Sequence, residues 1–132
     1  MHYVEHPPHP RLMPFVRCVW TLEGVASGGV SPVLPDGRSE LILHLGDPFE
    51  VVSDDGAVTR QPAAVFAGQL TRRLLMRPTG RVAVVGVRFH PYGAAAFLGA
   101  PQDEFTGTPI GVDLLSASLA RACASVRRAT AD

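Results

Sequence analysis

The stretch RVAVVGVRFHPYGAAAFLG, residues 81–99, sets the tightest limits on how this chain can fold. Val82, Val84, Val85 and Val87 form a β-branched run that ends on Phe89, and at His90-Pro91 the period changes from two to that of a short helix. Pro91 suits a first helical turn, where its missing N–H is no loss. Ala94, Ala95, Ala96, Phe97 and Leu98 follow, and Gly99 stands where a helix-ending glycine would. The pattern predicts a buried strand running into a small helix. Arg88 sits inside that strand, where a charge must find a partner or reach water.

One domain accommodates the 132 residues, enough to bury about two thirds of the surface of the unfolded chain. The 13 glycines and 12 prolines favour many turns and short strands. Acidic and basic residues balance at a net charge of zero, so no overall positive field argues for nucleic acid. Cys18 and Cys123 match no metal or redox spacing and read as small core residues. The N-terminus MHYVEHPPHP is no signal peptide and no apolar run reaches membrane-spanning length, so a cytoplasmic location is expected.

Residues 1–14 read as an extended, proline-rich arm with surface histidines at 2, 6 and 9. FVRCVWTLE, residues 15–23, alternates as a strand, with Val16, Cys18, Trp20 and Leu22 on one apolar face. Trp20 either packs in the core or lines a pocket, because a buried indole N–H wants an acceptor. Asp36-Gly37 signals a turn. Residues 38–45 form the next strand, with Leu41, Leu43 and Leu45 on one face and Glu40, Ile42 and His44 on the other. That second face is either a polar pocket or the wet side of a half-exposed sheet.

Residues 49–53 and 58–61 suggest a hairpin across Asp54-Asp55-Gly56. Residues 63–70 read as a strand, and residues 71–78 continue the sheet, with Arg72, Arg73 and Arg77 as a solvated edge or an anion site. A second helical turn is expected at residues 101–105. Asp113 is a candidate cap for a final helix over 114–129, with Leu115, Leu119, Ala122 and Val126 as its apolar stripe.

The expected fold is therefore α+β, with a mainly antiparallel sheet or open barrel over residues 15–90 and two or three helices over residues 91–129. No phosphate loop, nucleophile elbow or metal-ligand spacing is present in the sequence. Nothing in it points to an enzyme, a metal or a cofactor.

Three segments in order, PDGRSELILHLGDP (35–48), FAGQLTR (66–72) and GVRFHPYGAAAFLGAP (86–101), resemble the N-terminal, non-DNA-binding domain of bacterial AraC-type transcriptional regulators. FVRCVW (15–20) and FTGTPIGVDLL (105–115) fit the same pattern, so the resemblance spans about residues 7–116. It implies a cupin-like barrel with helices after it, placed ahead of two helix-turn-helix motifs. It also implies a role in sensing a small effector, in forming a homodimer, or both. No helix-turn-helix pair follows in these residues, which on this reading are either a truncated piece of a regulator that reaches DNA only through a missing domain, the favoured case, or a stand-alone homologue.

Strand alternation selects Trp20, Glu40, His44, Gln69 and Arg88 as candidate ligand-binding residues. Arg88 is either an ion-pair partner of Glu40 or the holder of an acidic effector. The alternative functions are a ligand-free dimerising scaffold, using Leu115, Leu119 and Val126 of the final helix, and a metal-dependent cupin-like enzyme.

Overall fold

The structure is a computed structural model that describes residues 1–33, 38–68, 74–91, 93–95, 110–114 and 116–129. Ten strands occur among them: β1 (His2–His6), β2 (Val16–Val25), β3 (Ser31–Val33), β4 (Glu40–His44), β5 (Glu50–Val52), β6 (Val58–Arg60), β7 (Ala64–Ala67), β8 (Leu74–Arg77), β9 (Arg81–Phe89) and β10 (Ile110–Gly111). They form two antiparallel sheets, one of six strands in the order β1-β2-β9-β4-β7-β10 and one of four in the order β3-β8-β5-β6. No strand pairing joins the two sheets into a closed barrel among the described residues. The helix Ala117–Ala129 follows the strands among the described residues.

The valine-rich run forms β9, the central strand, held between β2 and β4. Its burial on both sides explains why it reads as a continuous apolar run instead of an alternating one. The register aligns Cys18 with Arg88 and Trp20 with Gly86 across β2 and β9. Across β4 and β9 it aligns Glu40 with Arg88, Ile42 with Gly86 and His44 with Val84. Alternation then puts Cys18, Trp20, Glu40, Ile42, His44, Val84 and Arg88 on one face, here called inner, which the second sheet covers at the His44 end. Phe49, which leads into β5, packs there with Trp20, Ile42, Val82 and Val84. The Trp20 indole lies across Gly86, where any β-carbon would strike the ring.

Val16 is a correction to simple alternation. The register shifts between Val16 and Cys18, and Val16 pairs with Phe89. A bulge therefore turns Val16 to the outer face, where it packs with Phe66, Phe89 and Ala94. All four residues of the expected apolar stripe of β2 are covered, but on two faces.

The outer face carries Leu41, Leu43 and Leu45, and the final helix covers it with Leu119, Ala120 and Cys123. The expected stripe Leu119, Ala122, Val126 is displaced. Cys123 points inward, whereas Ala122 and Val126 are exposed. The helix also starts later than expected, behind a 3-10 turn at Val112–Leu114. The Ser116 hydroxyl accepts from the Leu119 N–H at 3.1 Å, so Ser116, not Asp113, caps the helix.

The β5–β6 hairpin forms as the sequence suggests, turning at Gly56 with φ +86 and with Asp55 accepting from the Ala57 N–H. Residues 74–77 join the second sheet, beside β3 and β5. The Asp36-Gly37 turn, Arg72 and Arg73, most of the helix over 91–99 and the turn at 101–105 lie outside the described residues. Among the described residues no helix is long and apolar enough to cross a membrane.

Candidate functional site

The inner face of the six-stranded sheet gathers four of the five candidate residues. Trp20, Glu40, His44 and Arg88 all point to it, and Gln69 lies outside the described residues. They do not share one pocket. Glu40 and Arg88 stand at one end of β4 and His44 at the other, about 14 Å away by strand rise. Trp20 lies between, over Gly86.

At the first end Arg88 is held by side chains from three strands. Its Nε donates to Glu40 Oε1 at 2.6 Å, Nη1 to Glu5 Oε1 at 3.2 Å and Nη2 to the Tyr3 hydroxyl at 3.4 Å. Nη1 also lies 3.9 Å from Cys18 Sγ. Burial works against the guanidinium charge, but the hydrogen bonds to Glu40 and Tyr3 outweigh it and raise the pKa above arginine's ordinary value. Arg88 is permanently charged and its partners belong to the fold. The Cys18 thiol beside it is pushed up mainly by burial, with Arg88 opposing, so it stays protonated and a weak nucleophile.

Glu5 and Tyr3 were missed in the sequence because the arm around them reads as a proline-rich extension. The signal was present in HYVEH, a short alternating run ahead of Pro7. It forms β1 and pairs along β2, setting Tyr3 and Glu5 on the face that carries Arg88. The Tyr3 and Trp20 rings stand 5.9 Å apart.

At the second end His44 is only 1% exposed. Its Nε2 meets Gln61 Oε1 at 2.9 Å, and its ring lies 5.0 Å from that of Phe49. Burial lowers its pKa, the Gln61 bond opposes that change and the charge of Arg127 adds to it, so the imidazole is neutral. With Nε2–H donating to Gln61, Nδ1 is an acceptor without a donor, and turning the amide over would leave Nδ1 equally alone. Trp20 Nε1 is likewise buried without a partner. His44 and Gly86, which the indole covers, are diagonal neighbours on one face, about 7–8 Å apart. Behind the sheet, Arg127 of the final helix donates from Nε to the His44 carbonyl at 3.1 Å.

The dimerisation candidates separate. Leu119 is part of the domain's own core, Val126 is 46% exposed and Leu115 lies outside the described residues. Among the described residues no three His, Cys, Asp or Glu side chains gather closely enough to hold a metal ion.

No curated protein is similar enough to serve as a relative. A family model, described as Domain of unknown function (DUF6597), matches residues 4–111. That span begins in β1, takes in both sheets with the Arg88 and His44 clusters, and ends at β10. The chain belongs to the DUF6597 family.

Proposed function

We propose that this chain is the N-terminal regulatory domain of a cytoplasmic AraC-type transcriptional regulator, sensing a small effector, forming a homodimer, or both. DUF6597 domains are in general associated with the N-termini of such regulators, and the ordered segments at 35–48, 66–72 and 86–101 support the same reading. On this reading the two sheets are the halves of an open cupin-like barrel followed by two or three helices. The domain has no catalytic task, and it acts on DNA through a separate helix-turn-helix unit.

The observation that carries the sensing role is the pair of buried, unpartnered polar atoms, Trp20 Nε1 and His44 Nδ1, on one face of the sheet. A buried polar atom without a partner costs about 1–3 kcal/mol, and a ligand or a trapped water that supplied the missing bond would recover part of it. Dimerisation is supported more simply, by Leu114 and Val126, which are exposed apolar side chains beside and on the final helix. The experiment that tests the class is to read the coding frame beyond Asp132. Two helix-turn-helix patterns are expected there, and a stop codon would overturn the reading.

A further inference from the structure

A cavity of about 250 Å³ opens where β7 of the first sheet meets the second sheet. Val51, Val65, Leu74 and Pro62 give it apolar walls, and Ser53, Thr59 and Gln61 supply its neutral polar groups. The register explains the selection. Val51 stands opposite Thr59, so alternation carries Val51, Ser53, Thr59 and Gln61 to the same side of the β5–β6 hairpin. Arg60 reaches the wall, but it pairs in register with Glu50 on the other side of the hairpin, where Glu50 also binds Arg77.

Gln61 forms the floor at 7% exposure, while Ser53 and Thr59 are exposed at the mouth. Its Oε1 is held by His44, and among the described residues its side-chain nitrogen makes no hydrogen bond. With Oε1 turned to His44 Nε2, the NH2 group is the end of the amide that faces the cavity. An apolar cavity of about 150 Å³ is enough to hold benzene, so this one accommodates a ring with a short substituent.

We propose that this cavity binds a small neutral molecule with an apolar body and one accepting oxygen, a carbonyl or a hydroxyl, hydrogen-bonded by the Gln61 amide. The use of such binding as a signal rests on the regulatory reading given above. The binding itself does not, and the two fail separately: a missing helix-turn-helix frame leaves the cavity intact, and an empty cavity leaves the family reading intact.

The test is a titration of the isotopically labelled 132-residue chain with acetophenone, followed by amide NMR, with toluene and benzoate as comparisons. Saturable shifts centred on Val51, Ser53, Thr59, Gln61 and Val65 are expected. Toluene lacks the oxygen and should bind about 3- to 10-fold more weakly, the loss of one net hydrogen bond. Benzoate should be weaker still, because removing its carboxylate from water costs more than the exposed Arg60 at the wall returns. Thr59→Trp, at the exposed mouth, should fill the space and abolish binding with the fold kept. Gln61→Met should remove the preference for acetophenone over toluene; if that variant does not fold, the Thr59→Trp result decides. Absence of saturable shifts would overturn the proposal, as would equal binding of toluene or benzoate, or undiminished binding to the Thr59→Trp variant.

Discussion

Arg88 and His44 are two buried charge problems solved in opposite ways. Arg88 keeps its charge by surrounding it with Glu40, Glu5 and Tyr3. Removing one partner of a buried pair costs about 3–5 kcal/mol, and because Arg88 and Glu40 are each about one fifth exposed the smaller range of about 1–3 kcal/mol applies to Arg88→Ala. Urea unfolding checks this value, and the double variant Arg88→Met with Glu40→Gln should recover part of the loss. An Arg88→Ala protein of unchanged stability would instead favour the acidic-effector role that the sequence left open. His44 gives up its charge. Its folded pKa lies below the ordinary value of about 6.5, so in the window beneath 6.5 the unfolded chain binds more protons than the folded one. Stability is then fully present above about pH 6.5 and is lost as the pH falls toward the folded pKa. Melting temperatures between pH 7.5 and 5 should show the decline, and His44→Gln should flatten it. An equal slope in the variant would place the proton uptake elsewhere.

Among the elements, the central strand was the most legible in sequence and the final helix the least. Four valines and a phenylalanine in nine residues admit little but a strand buried on both sides, and β9 is that strand. The faces of β4 follow from alternation alone. The bulge in β2 was hidden because Val16, Cys18, Trp20 and Leu22 are all apolar, so hydrophobic pattern cannot tell which face each one takes. The helix was misjudged for a related reason. Alanines at 117, 120, 122, 124 and 129 blur its apolar stripe, and only packing against Leu43 and Val112 selects Cys123 as the inward residue. The choice of residue for a dimerisation test changes accordingly. Leu119→Glu would put a charge into the core and cost about 2–4 kcal/mol, confusing association with unfolding. Val126→Glu changes an exposed position and should leave the melting temperature within about 0.5 kcal/mol equivalent. Sedimentation should then show monomers if the helix forms the interface, and a dimer that survives the change does not use this helix.

In the molecule as a whole, the six-stranded sheet is an inner layer with the second sheet against one face and the final helix against the other. The candidate site divides along the same plan. Trp20, Glu40, His44 and Arg88 could be assigned to one face from their spacing, whereas Gln61 is brought to His44 by the meeting of two sheets, which no local pattern encodes. Stability should be graded across the layers. Amide hydrogen exchange is expected to be slowest at Val84, Val85 and Val87 of β9 and faster along β1 and β6, which end their sheets. Protection of β1 equal to that of β9 would show that the arm is an integral part of the core.

The central place of β9 also has a meaning in time. β2 and β4, which flank it, are both made earlier, and roughly forty-five residues separate the end of β4 from the end of β9. At about 5–20 residues per second a ribosome needs about 2–9 s to add them. During that interval the β1–β2 and β4–β7 pairs can form, but no middle strand is present to join them into one sheet. Slower growth temperatures and chaperones that shield exposed strands should therefore raise the yield of this chain more than any change to its finished surface.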